Sequence, residues 1–253
     1  MAEVEVSSAE GIRTVVLNRP EKRNALTLAM LEQLSSVFAE APPAHERATV
    51  LRASGPVFCA GLDLTERRAS AAPAGESPIH HLLQALRSYP LPVVAVVQGD
   101  AIAGGNELAL NCDLVIASTR ASFGMSLAQI GLAPSWYLAA RLYDAAGPAL
   151  ARQMLLLGDP VPATRLAELG VILMAVPDHE LGPQSDRVAR RLAANAPLSL
   201  RAIKSTLVRL GEGHDGLPHG DLDALVAAAG GSGDASEGIS ARLERRPPDF
   251  RGR

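Results

Sequence analysis

The sequence predicts an α/β fold that becomes helical toward its C-terminus, and three observations carry that reading. Short β-rich runs alternate with segments of helical periodicity over the first part of the chain. Runs such as "LPVVAVV" are apolar at every position, the pattern of strands covered on both faces and paired in parallel. Beyond about residue 145 strand signals become rare while helical spacing continues.

Taken in order, "IRTVVLNRP" is a strand stopped by Pro20, whose ring removes the N–H that a ladder needs. "TLAMLEQLSSVFAEA" has apolar residues at helical spacing, with Thr27 placed as N-cap. "ATVLRAS" is a second strand, closed by Gly55-Pro56. Residues 69–78, "ASAAPAGESP", are small and punctuated by proline and glycine, which predicts a mobile connection. "IHHLLQALRSYP" is an amphipathic helix, "LPVVAVVQG" a buried strand, "GNELALNC" a helix and "DLVIAS" another strand. "GPALARQMLLLG", "PATRLAELG" and "PQSDRVARRLAANAPLSLRAIKSTLVRLG" read as helices, interrupted by an extended "VILMAV". Residues 211–238 are glycine-rich around one apolar helical patch, and "ISARLERRPPDFRGR" starts helical and ends in prolines and basic residues. No internal sequence repeat is visible.

Composition removes several function classes. With 253 residues, 47% hydrophobic and 20% charged, the chain is long and apolar enough for a sizeable soluble core. A net charge of −3 argues against general nucleic-acid affinity, and 3% aromatics leave little to stack bases on. No apolar run approaches membrane-spanning length, and "MAEVEVSSAEG" is the opposite of a secretory signal. Cys59 and Cys112 cannot build a disulfide framework, and no Cys/His cluster has zinc spacing. The expectation is a cytoplasmic protein with no structural metal.

Two glycine turns bear on chemistry. In "GDAIAGGNELALNCD", residues 99–113, a strand runs into Gly-Gly and opens a helix, leaving free N–H groups at a positive helix end. Such an end binds phosphate or stabilises an oxygen that becomes negative during reaction. "FCAGLDL" follows "ATVLRAS" in the same way, so each turn could give one N–H to a single carbonyl oxygen. Either turn alone is equally served by the ordinary role of glycine in tight turns. Glu107, just after the glycines, is by position either an acid stabilised by the helix dipole or a carrier of protons.

Together these segments carry a resemblance. "EKRNAL" at 21–26, "FCAGLDL" at 58–64, "AIAGGNELALNCD" at 101–113, "FGMSLAQIGLAP" at 123–134 and the ending "EGISARLERRPPDFRGR" resemble the crotonase (enoyl-CoA hydratase/isomerase) superfamily, in family order and spacing. The resemblance implies a ClpP-like spiral of ββα units over residues 1–195 and a helical trimerisation region over 196–253. It implies that the backbone N–H groups of Leu62 and Gly104 polarise the thioester carbonyl of an acyl-CoA, and that Glu107 is the family's first catalytic glutamate. Carbonyls around Ala60 and Leu62 would meet the adenine, Lys22 and Arg23 lie where positive groups approach the phosphates, and Arg245 matches a C-terminal basic position near the nucleotide.

The sequence also departs from the family. Leu127 stands at the position of the second glutamate, and Ser135-Trp136-Tyr137 replaces a glycine-rich continuation. Leucine there makes the acyl pocket drier, with Trp136 shaping it. The resemblance therefore implies an enoyl-CoA hydratase-like lyase using one glutamate and no metal or redox cofactor, coenzyme A being part of the substrate. It also implies a trimer or a dimer of trimers. An isomerase, hydrolase or decarboxylase on the same fold, or a weakly catalytic CoA-binding scaffold, is the alternative. Among other polar residues, Asp100 reads as turn-forming, Asp113 as a helix end that fixes the next strand, and Cys59 as a small buried residue. His80 and His81 read as surface or rim residues, and Ser126 and Gln129 as polar groups near Leu127 that could position a water.

Overall fold

The computed structural model describes residues 2–69, 79–213, 218 and 220–251; apart from Ala69, the connection expected to be mobile lies outside them. A hairpin of β1 (Val4–Ala9) and β2 (Ile12–Leu17) opens the chain, turning at Glu10 and Gly11, both with positive φ. A 3-10 turn at Pro20–Lys22 leads to α1 (Leu28–Ala39), where the Thr27 hydroxyl accepts the Met30 N–H at 3.1 Å as the predicted cap. Then come β3 (Ala48–Ala53), α2 (Leu64–Ala69), α3 (His80–Ser88), β4 (Val93–Val97), β5 (Ala101–Ile102) and α4 (Gly104–Leu110). β6 (Leu114–Ser118), β7 (Ser122–Gly124) and a 3-10 turn at Ala128–Ile130 precede α5 (Trp136–Arg152). A π-helical turn at Gln153–Leu157, β8 (Val161–Pro162), α6 (Ala163–Glu168) and β9 (Met174–Val176) follow. The chain continues through α7 (Asp178–Ala193), α8 (Pro197–Leu210), α9 (Gly220–Gly230) and α10 (Gly233–Glu244).

The large sheet has the order β1-β2-β3-β4-β6-β9, parallel everywhere except between β1 and β2. Central β4 is buried at all five residues, and its alternation explains the continuous apolar run. Val93, Ala95 and Val97 face the main core with Phe38 of α1 and Leu86 of α3, while Val94 and Val96 pack with Val50, Ile116, and Leu181 of α7.

A second layer crosses the strand ends. Leu26 bridges Leu62, Cys59 bridges Ala101, β5 pairs in parallel with β7, and β7 pairs antiparallel with β8. Each inner strand of the large sheet thus runs into a short second-layer segment and then into helix. β2 passes through Leu26 into α1, β3 through Cys59–Leu62 into α2, and β4 through β5 into α4. β6 passes through β7 to the 3-10 turn and α5. This is the expected spiral of ββα units, and it delivers the second-layer turns side by side.

The helical boundaries refine the sequence reading. The helix foreseen at "GPALARQMLLLG" is the latter part of a longer one, since Ser135 caps α5 by accepting the Leu138 N–H and the chain kinks at Gly147, φ 72°, before Pro148. The long helical stretch from Pro183 to Gly211 divides at Pro197, where α7 has ended and α8 begins. α8 is anchored to the body. Lys204 Nζ donates to Asp113 Oδ2 at 2.7 Å and to the Leu91 carbonyl at 3.0 Å, and Arg87 Nη2 donates to the Val208 carbonyl at 2.9 Å. Asp113 does not end α4, which stops at Leu110 with Asn111 as its C-cap; it accepts the Val93 N–H at 2.7 Å and so fixes the start of the preceding strand β4 rather than the strand that follows it.

Candidate active site

The site begins with two turns held face to face. The Ile102 N–H donates to the Cys59 carbonyl at 2.9 Å, and the Cys59 N–H to the Asp100 carbonyl at 3.2 Å, which fastens the 58–62 turn against the entrance to α4. The approach is too close for side chains. A Cβ on Gly61, where φ is +91°, would lie 2.9 Å from the Ile102 carbonyl oxygen and 3.2 Å from Gly104 N. A Cβ on Gly105 would lie 2.2 Å from the Cys59 carbonyl oxygen. The glycines therefore serve close approach, which is what brings the backbone of Leu62 beside Gly104: a Cβ on Gly104 would sit 3.5 Å from Leu62 N.

The direction of the Leu62 N–H follows from its neighbours. Leu26 donates its N–H to the Gly61 carbonyl at 2.8 Å and accepts the Asp63 N–H at 2.9 Å. Successive residues of an extended segment present their N–H groups to opposite sides, so the Leu62 N–H faces away from Leu26, toward Gly104. Among the described residues, neither the Leu62 N–H nor the Gly104 N–H donates to a protein acceptor. Ala103, at the N-cap of α4, has φ 49° and ψ −115°, a conformation costly for a residue with a Cβ. It is locked by the Ala103 N–H donating to the Gly124 carbonyl at 2.7 Å. Two unused donors on a strained, cross-braced backbone match the requirements for stabilising a developing oxyanion.

Glu107 lies one helical turn beyond Gly104, and positions three apart share a helix face. It is 8% exposed, and burial pushes its carboxyl up to about 8. Near neutral pH both protonation states are accessible, as a proton carrier requires. Cys59 is fully buried, its sulfur accepts the Gly61 N–H at 3.5 Å, and burial lifts the thiol to about 12, which leaves it inert as a nucleophile.

The other predicted positions divide into two groups. Ala60 belongs to the turn itself, its N–H donating to the Arg23 carbonyl at 3.1 Å, so Lys22 and Arg23 border that turn with exposed side chains. Leu127 opens the 3-10 turn and packs against the cluster of Ile130, Leu132 and Ala235. Trp136 begins α5, which contacts α4. His80, on α3, meets the Tyr137 ring at 4.2 Å between centroids with the planes tilted by 33°, while its neighbour His81 is exposed. The Gln129 amide donates to the Leu157 carbonyl at 3.0 Å and to Asp159 at 3.2 Å. Asp100 is exposed, and its Oδ1 accepts the Ser122 N–H at 3.2 Å, a bond to the start of β7 rather than within its own turn. Arg245 is exposed at the left-handed C-cap of α10.

Three contributors escaped the sequence reading. Ile79 places its Cδ1 3.2 Å from the Cβ position of Gly104, walling the hole, and no local pattern signals that contact. Ala103 is invisible because its strain depends on the tertiary lock. Asn24 was legible only as part of "EKRNAL", although it is fully buried with positive φ.

Comparison with known proteins agrees with this geometry. Residues 7–253 match the family model for enoyl-CoA hydratase/isomerase. A probable enoyl-CoA hydratase of Rhodobacter capsulatus is 36% identical over 259 residues, covering 97% of this chain and 96% of the relative. The 2,3-dehydroadipyl-CoA hydratase of Escherichia coli is 34% identical over 258 residues, covering all of both. Among solved structures, methylmalonyl-CoA decarboxylase complexed with 2S-carboxypropyl-CoA superposes with a TM-score of 0.91 at 25% identity, covering 100% of this chain and 99% of that one. An enoyl-CoA hydratase of Mycobacterium avium subsp. paratuberculosis gives 0.84 at 29% identity, covering 99% of each. The chain belongs to the enoyl-CoA hydratase/isomerase family, the crotonase superfamily.

Proposed function

We propose that the chain is an enoyl-CoA hydratase-like lyase that stabilises a thioester enolate between the Leu62 and Gly104 N–H groups and moves protons with Glu107 alone. The observation that carries this is the pairing of two unused donors with a buried acid one turn away. As water's oxygen bonds to Cβ of an enoyl-CoA, charge gathers on the thioester oxygen seated between the donors. Glu107 takes one proton from that water and returns one to Cα, so the net change is addition of one water. Each donor contributes about 3 kcal/mol in the transition state. CoA enters as part of the substrate, with the Ala60 and Leu62 carbonyls at the adenine, Lys22 and Arg23 near the phosphates, and Arg245 supporting the nucleotide. No metal or redox cofactor is needed by this chemistry.

A second reading is decarboxylation in the same hole. It is favoured by the TM-score of 0.91 to methylmalonyl-CoA decarboxylase together with the apolar surroundings of Leu127, where a held water has no acid partner. There the bond to the departing carbon dioxide breaks, its electron pair becomes the enolate, and protonated Glu107 supplies Cα. Incubation with a panel of acyl-CoA thioesters, followed by mass, separates the readings: gain of one water is hydration, loss of carbon dioxide decarboxylation, and free CoA hydrolysis. No change in mass, together with no shift of the double bond seen by proton NMR, would leave only the CoA-binding scaffold.

We assign the helices beyond residue 195 to assembly as a trimer or dimer of trimers. Leu198, Ile203, Leu207 and Leu210 of α8 and Leu225 of α9 are exposed and support this, and a monomer in sedimentation at micromolar concentration contradicts it. The buried free thiols of Cys59 and Cys112 suit a reducing compartment such as the cytoplasm. None of the described helices is long and apolar enough to cross a membrane.

A further inference from the structure

The oxyanion turn is held from outside by a residue that touches no reacting atom. Asn24 is fully buried with φ 52°, directly after Arg23 with φ 53°. Its Oδ1 accepts the Arg19 N–H at 2.8 Å, and its Nδ2 donates to the Ser54 and Val57 carbonyls, each at 2.8 Å. One amide thus ties the segment after β2 to the loop after β3, using both donors and one acceptor site. The tied segment then grips the turn on both sides of Leu62. Arg23 accepts the Ala60 N–H, Leu26 donates to Gly61, and Leu26 accepts from Asp63. Arg19, starting the same segment, donates through Nη1 to Asp63 Oδ2 at 2.8 Å.

We propose that Asn24 is a positioning residue for the oxyanion hole, fixing the Leu62 N–H at the distance and angle at which it meets the thioester oxygen. The inference rests on the acyl-CoA reading above. The physical reason is geometric. Phe58 and Cys59 anchor the start of the turn in the main core, but Gly61, in a positive-φ conformation, has no side chain to fix the residues that follow. Bonds to residues 100–102 hold residues 58–59, whereas Ala60, Gly61 and Asp63, on either side of Leu62, bond to residues 23–26, whose own left-handed turn at 23–24 is held by the Asn24 amide. Asparagine suits that place because it tolerates the left-handed region while its side chain bonds nearby carbonyls.

The test uses an unreactive thioester, butyryl-CoA labelled at the carbonyl carbon, so that binding and carbonyl polarisation are read whichever reaction the enzyme performs. Asn24→Gly keeps the left-handed backbone and deletes all three side-chain bonds. Asn24→Asp keeps the acceptor for Arg19 and the conformational tolerance but loses both donors, and serves if the glycine variant does not fold. Lys204→Met, which removes a buried ion pair on α8, is the control for general destabilisation. In the wild type the infrared carbonyl band should shift to lower frequency on binding. In the Asn24 variants that shift should shrink and kcat should fall about tenfold or more, a partial version of the 10²–10³ lost on deleting one oxyanion donor, while KM changes less. Lys204→Met should lose stability and keep the shift. A folded Asn24 variant with wild-type shift and kcat overturns the proposal and leaves the acyl-CoA reading intact. A wild type that binds butyryl-CoA without any shift overturns the acyl-CoA reading itself, and the Asn24 proposal with it.

Discussion

Replacing Glu107 by glutamine tests the buried acid through stability as well as through rate. The structure gives the magnitude. Burial raises the carboxyl from 4.5 to about 8, so between those pH values the folded chain holds a proton that the unfolded chain has released. The folded state binds more protons there, and wild-type stability falls as pH rises through the window. At 1.36 kcal/mol for each tenfold change in proton affinity, the full displacement corresponds to about 5 kcal/mol, and relaxation of the site and entry of water bring the observable part to about 2–3 kcal/mol. Glutamine does not titrate and keeps the shape of the helix. Glu107→Gln should therefore be more stable than wild type by about that amount at pH 9, with little advantage at pH 4.5. Urea unfolding of both proteins at the two pH values, followed by circular dichroism at equal protomer concentration, reads the difference. Turnover should fall by about 10²–10⁴ while CoA binding persists. An advantage equal at both pH values would show that the carboxyl is solvated like any surface glutamate, and the reasoning from burial would fail.

Other outcomes follow from the same geometry. Leu127→Glu should raise hydration of crotonyl-CoA by up to about 10²–10⁴, reduced by imperfect placement and by the raised pKa of a second buried acid; no gain at any pH in a folded variant would mean the pocket serves another reaction. Gly104→Ala should fold with a loss of about 1 kcal/mol, since its methyl meets Ile79 Cδ1 at 3.2 Å, a side-chain tip that can turn. It should nonetheless lose activity because the methyl occupies the approach to Leu62 N; a fully active variant contradicts the hole. Gly105→Ala, with its methyl 2.2 Å from the Cys59 carbonyl oxygen, should lose about 3 kcal/mol or more or fail to fold, read by thermal unfolding. Ala103→Gly should gain about 1 kcal/mol, relief of positive-φ strain exceeding the entropy that glycine adds to the unfolded chain, and a loss in thermal midpoint would contradict that strain.

The inner strands were legible because their burial writes itself into the sequence: β4 is apolar at every position and buried at every position. β1 was not legible, since an edge strand reading "VEVSSA" is mostly exposed and has no apolar face to show a period of two. The second layer was equally hidden. Segments of two or three residues and single bridges such as Leu26–Leu62 are too short for periodicity, so the spiral came only through resemblance. The N-terminal half of α5 did leave a signal, Ser135 following Pro134, but it was read as a replaced glycine stretch rather than as a cap. In the site, local order along the chain showed where Glu107 and the glycines lie, and the resemblance supplied the roles expected of them. The roles of Asn24 and Ala103 were not legible, because the partners of one lie 30 and 33 residues away and the strain of the other is imposed by Gly124.

The central claim is that Glu107 moves a proton at the carbon next to a thioester held by Leu62 and Gly104, whatever the full reaction may be. Exchange of the α-hydrogens of butyryl-CoA in heavy water, followed by mass, measures that step alone. Wild type should incorporate deuterium at Cα, Glu107→Gln should reduce the exchange by about 10²–10⁴, and Gly104→Ala should reduce it with Glu107 still in place. Exchange by Glu107→Gln at the wild-type rate would contradict the account.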